Sequence, residues 1–197
     1  IAIEIAPVAL NSDEIYSILR KRLFEDIDKS SGYAIHRNDI AVAYKDAVAN
    51  AKKLGFTSYS GEAVYKGIVD SYPFHPSIKD LYARFKENQN FQQTRGLIKL
   101  MRQIIREIYE SSKADSTYLI NVYDVNHSNL MAMFRQIKPS LEDAISHDIA
   151  QNNLSIAESI DADRADNRDY AQQLANMLLV SSLSTATHGI LGLTEAD

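Results

Sequence analysis

Residues 91–109 read FQQTRGLIKLMRQIIREIY, and two periodicities run through them at once. Leu97, Leu100, Met101, Ile104, Ile105 and Ile108 stand at i, i+3, i+4, i+7, i+8 and i+11, which places six apolar side chains on one wide stripe of an α-helix. Such a helix is stable only when the stripe is buried, so this segment predicts a mainly α fold with the helix at its centre. Arg95, Lys99, Arg102 and Arg106 stand at i, i+4, i+7 and i+11 and line a second face, broadly away from the apolar one. A helix start favours negative charge by roughly 0.3–1 kcal/mol, yet its first turn carries Arg95 and no acid occurs between Gln92 and Arg106. A solvated polar face is one reading of the stripe. A bound phosphate, or carboxylates from another element, is the other.

Working outward toward the N-terminus, residues 72–76 read YPFHP, where Pro73 and Pro76 bracket Phe74 and His75. Pro76 suits the first turn of a helix whose face is Ile78, Leu81, Tyr82 and Phe85. Before it, Val64 and Ile68 predict a helix over about 61–70. Ile40, Tyr44, Ala47, Val48, Ala51 and Leu54 predict a longer one that stops at Gly55. Ile15, Ile18, Leu19, Leu23 and Ile27 predict a first helix of about four turns, with Asn11 and Glu14 as a weak capping pair. IAIEI at residues 1–5 alternates at period two and reads as a strand stopped by Pro7.

The character changes after Ser111. Residues 112–116 form a polar linker, and TYLINVYDV at 117–125 is rich in aromatic and β-branched residues, the mark of a short strand or buried extended piece. Lys138-Pro139-Ser140 precedes a helix carrying Leu141, Ala144, Ile145 and Ile149. A longer helix is expected over about 167–184, through Tyr170, Leu174, Met177, Leu178 and Val180.

Composition narrows the chemistry. The 197 residues are 45% hydrophobic and 24% charged, the proportions of a globular protein. No apolar run approaches a membrane span and the N-terminus has no signal-peptide layout, so no membrane partner and a cytoplasmic location are expected. The absence of cysteine excludes thiolate catalysis and cysteine-based zinc sites. The net charge of −5 argues against a surface that coats nucleic acid, but it is unevenly spread. Residues 1–110 hold 16 Lys and Arg against 14 Asp and Glu, a balance of +2, while residues 111–197 hold 5 against 12, a balance of −7.

No metal is expected, because the five histidines His36, His75, His127, His147 and His188 lack HxxxH or HExxH spacing. DADRAD at residues 161–166 has Asp166 where a calcium loop needs glycine and Gln172 where it needs glutamate, and reads as a solvated acidic loop. His75, between its prolines, is either a turn residue or helix cap or a functional group. GxxxxGK[ST] is absent, as is an apolar strand ending in acids that could hold magnesium, so this chain by itself lacks the parts of a P-loop ATPase.

The order of these segments resembles a known family. IAIEIAPV, EIYSILRKRLF from Glu14 to Phe24, SYPFHPSIKDLYARF, FQQTRGLIKLM and the late LLVSSLS…GILGLTEAD are similar to the second half of large bacterial and archaeal ATPases, the family numbered 499 among domains of unknown function, with an AAA+-like P-loop core. YPFHP followed by FQxTRG is the most specific part. The resemblance implies that IAIEI closes a nucleotide-binding core lying N-terminal to this chain, and that the following helices form a lid over ATP and magnesium held by that core. It implies a sensor-type role in catalysis for Arg95, whose guanidinium would reach the phosphates, with Lys99, Arg102 and Arg106 nearby as phosphate-proximal cations. It implies a contact with a neighbouring ring subunit for Arg20 and Arg22, and it makes Tyr72, His75 and Pro76 motif positions without an assigned role. Related P-loop proteins occur in phage-defence operons and with DNA-modifying partners, which extends the expectation to DNA contacted through the parent protein.

The resulting expectation is a mainly α chain. It comprises the end of an ATPase core at 1–10, a lid-like bundle of about five helices at 11–112, and a smaller acidic, mostly helical region at 113–197 with one or two short strands. Both ends look cut from a longer ATPase, and the fragment alone is not expected to be catalytic. A helical DNA-binding or protein-adaptor module using the Arg95 to Arg106 stripe is the competing expectation, and a purely structural scaffold is the third.

Overall fold

A computed structural model describes residues 14–85, 93–125, 141–150, 154–166 and 168–182. The described residues are mainly α, in the order α1 (Ile15–Leu23), α2 (Tyr33–Lys53), α3 (Gly61–Ser71), α4 (Ser77–Phe85), α5 (Gln93–Glu110), α6 (Leu141–Ala144, continuing as a π turn over Ile145–Ile149), α7 (Ile156–Ala162) and α8 (Tyr170–Ser182). The expected strand at 1–5 lies outside them.

The apolar stripe of α5 is the centre of the core. Leu97, Leu100, Met101 and Ile104 are fully buried and Ile108 nearly so, at about 1.5–3 kcal/mol for each large side chain removed from water. They meet Ile15 and Leu19 of α1, Ile78 and Tyr82 of α4, Val122 and Val125, Ile145 and Ile149 of α6, and Leu179 and Val180 of α8 in one cluster. That cluster joins the regions on either side of residue 112.

Helices α2 and α3 form a hairpin around Ala41, Ile68 and Leu119. α2 ends in a Schellman motif: the N–H of Gly55 bonds Lys52 O at 3.1 Å and that of Phe56 bonds Ala51 O at 3.0 Å, with Gly55 at φ +79°, a conformation that favours glycine. Gly61 is needed for a different reason. A Cβ there would stand 2.6 Å from Lys45 O, so only glycine lets α3 start this close to α2.

Three sequence expectations change. The first helix stops at Leu23, because Phe24 is extended (ψ 150°) and Asp26 is left-handed (φ +49°); Ile27 falls in a separate 3-10 turn over Ile27–Lys29. The piece TYLINVYDV makes a single bridge, Ile120 to Phe74 in parallel, and no strand is present among the described residues. The ladder ends there because Asn121 and Asp124 form a capping box that winds Val122–Asp124 into a 3-10 turn, their side chains competing with strand pairing. Third, α7 lies where no helix was expected. Its signal is the Ser155-x-x-Glu158 capping box, formed in both directions.

In the acidic stretch 161–166, residues 163–166 are an exposed turn as expected, but Asp161 departs from a solvated loop. Asp161 is buried in the last turn of α7, and its carboxylate accepts the N–H groups of Ala171 at 2.8 Å and Gln172 at 2.9 Å, which are otherwise orphan donors of α8. Burial pushes this carboxyl up, but the backbone bonds from Gln172 and Ala171 outweigh it and hold its pKa below the ordinary value. A group depressed in the native state stabilises above its unfolded pKa of about 4 and loses that contribution as pH falls through the native value. Asp161→Ala is therefore expected to cost about 1–2 kcal/mol in urea denaturation near neutral pH, with a smaller difference from the parent at about pH 3.

Candidate functional site

The cations of α5 lie on its outer face. Arg95, Lys99 and Arg102 are exposed, and no hydrogen bond or ion pair joins any of them to another described residue. Arg95 occupies the first turn of α5, where there is no acidic residue. Seven residues of helix rise by about 10 Å, so Arg95 to Arg102 is a row long enough to face several anionic oxygens. Arg106 is different: its Nε lies 2.7 Å from Glu110 Oε1, an i,i+4 pair that partly neutralises the C-terminal end of the stripe. The part of the face without an ion pair among the described residues is thus the row of Arg95, Lys99 and Arg102, donors of a kind that suits phosphate or carboxylate oxygens.

Arg20 and Arg22, neighbours in sequence, separate in the structure. Arg22 is exposed. Arg20 turns into its own fold: Nη1 donates to Asp70 O at 3.0 Å and Tyr72 O at 3.1 Å, and Nε stands 3.9 Å from Asp28. Its guanidinium closes the C-terminal end of α3, where carbonyls lack helical donors, instead of reaching outward.

Residues 71–76, SYPFHP, form a turn with a cis Tyr72–Pro73 bond in which each carbonyl from Tyr72 to Pro76 has a donor. Tyr72 O takes Arg20 and the Tyr33 hydroxyl, the latter at 3.0 Å. Pro73 O takes the N–H of Ile120 at 2.9 Å, and Phe74 O takes the Ser71 hydroxyl at 2.6 Å. His75 O takes the N–H of Ile78 at 3.2 Å. Pro76 O takes the N–H of Lys79 and the hydroxyl of Tyr16, which in turn accepts from the Lys79 N–H at 3.0 Å. Phe74 is fully buried at the middle.

His75 acts here as a helix cap. Its Nδ1 accepts the N–H of Ser77 at 3.2 Å and lies 2.7 Å from the Ser77 hydroxyl, which assigns the ring proton to Nε2. Burial lowers its pKa to about 4, so it is neutral near pH 7 and offers no charge to a phosphate. The motif positions Tyr72, His75 and Pro76 thus hold α1, α3 and α4 together around one turn. Arg20's part in that turn had no signal in the sequence, because its partners are backbone carbonyls about fifty residues away.

Among the described residues no group of three His, Asp or Glu could hold a metal ion, and no helix is long and apolar enough to cross a membrane. Neither a curated protein nor a solved structure matches the chain. A family model described as the DUF499 second domain matches residues 11–192, which takes in the YPFHP turn, the α5 cation row and the acidic region after 112. The chain belongs to the DUF499 second-domain family.

Proposed function

We propose that this chain is the helical lid and following region of an AAA+-like ATPase, and that Arg95 is its sensor-type arginine. In this reading ATP and magnesium are held by a core preceding the chain in the parent protein. Arg95 then approaches the phosphates as the lid closes and helps offset the charge that develops on the transferred group. The observation that carries the reading is Arg95 itself: an exposed arginine on the first turn of a helix with no acid beside it. Such a side chain is poorly placed for its own helix and well placed for an external anion. The family's designation as a second domain agrees with a module whose catalytic core lies elsewhere, as does the absence of a phosphate loop from these 197 residues.

Magnitudes favour this over the DNA-binding alternative. With Arg106 engaged by Glu110, Arg95, Lys99 and Arg102 remain to contact backbone phosphates, and three contacts predict a salt slope of only about −3 in log K against log salt. A net charge of −5 works further against a polyanion.

The test compares ATP hydrolysis by the full-length parent and its Arg95→Ala variant. At saturating ATP the variant is expected to turn over about tenfold more slowly, a loss of about 1.4 kcal/mol in transition-state stabilisation, with thermal stability within about 0.5 kcal/mol of the parent's because the side chain is exposed. Equal rates would remove the sensor assignment. Tight, steeply salt-dependent binding of duplex DNA by this chain would favour the alternative.

A further inference from the structure

The end of α5, residues 113–125, Tyr44 of α2 and the first turns of α8 enclose a cleft of about 670 Å3, within the usual size of small-molecule sites. Ile108, Leu119 and Val125 supply buried apolar lining. The charged side chains differ in depth. Lys113, Arg168 and Asp169 are exposed and belong to the rim, whereas Asp124 is half-buried within. Asp124 Oδ2 accepts the N–H of Asn121 at 2.9 Å, which fixes the side chain; Oδ1 has no hydrogen-bond partner among the described residues.

Two tyrosines flank this carboxylate. Burial, and then the Asp124 charge, push the Tyr44 hydroxyl up, and the same two influences push the Tyr123 hydroxyl up to about 12, so both side chains stay neutral near pH 7. Burial raises the Asp124 carboxyl to about 6, with the Asp169 charge adding to the rise; the Asn121 N–H and then the Lys113 charge draw it down only in part. A half-buried carboxylate with one open oxygen, neutral aromatic rings beside it and apolar surface around it is an arrangement that a cation completes.

We propose that this cleft binds a small organic cation, an ammonium or guanidinium carried on an apolar stem. The head pairs with Asp124 Oδ1 between Tyr44 and Tyr123, and the stem lies on Ile108, Leu119 and Val125. The site is independent of Arg95 and of the lid reading. The titratable and charged groups that line the cleft with Asp124 are Tyr44 from α2, Glu107 from α5, Lys113 and Tyr123 from the connecting segment, and Arg168 and Asp169 ahead of α8; of these, Lys113 and Asp169 act on its charge. Gln103 donates to Glu107 and Gln173 to Asp169; both keep their charge, and Asp124 is the carboxylate whose charge acts on both tyrosines within the cleft.

The probes are butylguanidinium and butylammonium, with neutral butanol as the control for the stem, titrated into the isotope-labelled 197-residue chain by NMR. Near pH 7.5 both cations are expected to shift the amide signals of Tyr123, Asp124 and Gln172 saturably, and butanol is not. Lowering the pH to about 5 should weaken the cations about tenfold, because a carboxyl with a pKa of about 6 is then only about one-tenth ionised. Asp124→Asn keeps an acceptor for the Asn121 N–H and removes the charge, so it should abolish the shifts, while Asp169→Asn at the rim should change affinity less than about twofold. Shifts with butanol equal to those with the cations, no saturable shift by either cation, or unchanged binding by Asp124→Asn would overturn the proposal. Should Asp124→Asn fail to fold, the butanol control and the pH comparison on the unmodified chain decide it.

Discussion

Phe74→Ala is expected to destabilise the chain by about 3–5 kcal/mol, the cost of removing a buried phenylalanine from a site that cannot close over the gap. Phe74 is fully buried in the central cluster, with its ring centroid 5.9 Å from that of Phe24 at a tilt of 59°. The size of the effect follows from its surroundings. The backbone on both sides is tied by the Ile120 bridge, by Arg20 and Tyr33 on Tyr72 O, and by Ser71 on Phe74 O. Neighbours held this way relax little, so most of the cavity persists and the lost contacts are not regained. For a chain of this length the loss corresponds to a fall in Tm on the order of 10 °C, readable by circular dichroism. A change below about 1 kcal/mol would show that the turn repacks freely and is not the fold's keystone.

Arg20→Ala is the second large effect, expected to cost about 2–3 kcal/mol. Its guanidinium donates to two carbonyls at the end of α3 with its side chain only 19% exposed, and hydrogen bonds from charged donors carry about 1.5–3 kcal/mol. Asp70 is exposed, so its carbonyl can recruit water after the loss. Tyr72 O keeps the Tyr33 hydroxyl. Arg20→Lys should recover only part of the loss, because the compact ammonium is more strongly hydrated and has no second nitrogen to face Asp28 while the first bonds the two carbonyls. Arg22→Ala, at an exposed position two residues away on the same short helix, should stay within about 0.5 kcal/mol. Chemical denaturation of the three variants tests the assignment. If Arg20→Ala leaves stability unchanged and alters the assembly of the full-length protein, the inward role is wrong and the subunit-contact expectation for Arg20 stands.

Much of the fold was legible because its helices announce themselves locally. The α5 stripe, the Gly55 stop, Pro76 ahead of α4 and the apolar spacing in α2, α3 and α8 are all patterns that close within a few turns, and each appears within about three residues of where spacing placed it, except the start of α2, which lies at Tyr33, ahead of the first spaced residue Ile40. The failures share a cause as well. TYLINVYDV has strand composition, but strand pairing needs a partner of matching length, and the partner supplied is one residue of a proline-bracketed turn. α7 was missed because its seven residues are too few for periodicity to register, although its capping box was present in the sequence.

The candidate sites divide in the same way. A row of cations at helical spacing is a local property, so Arg95, Lys99 and Arg102 could be placed on one outer face from sequence alone, and Arg106 with its i+4 acid was equally readable. Which arginine is exposed and which is spent on the chain's own carbonyls was not. Arg20 and Arg22 look equivalent in LRKRLF, and only the docking of α3 against α1 separates them. Likewise nothing in NVYD marks Asp124 as the carboxylate of a cleft. The sequence by itself determined the helical class, the central helix and its cationic face, because these depend on periodicity and intrinsic preference within one segment. The tertiary structure alone decided the YPFHP keystone, the inward turn of Arg20 and the cleft around Asp124, because each is made by groups from segments fifty or more residues apart in the chain or from several elements at once, and no local pattern encodes their meeting.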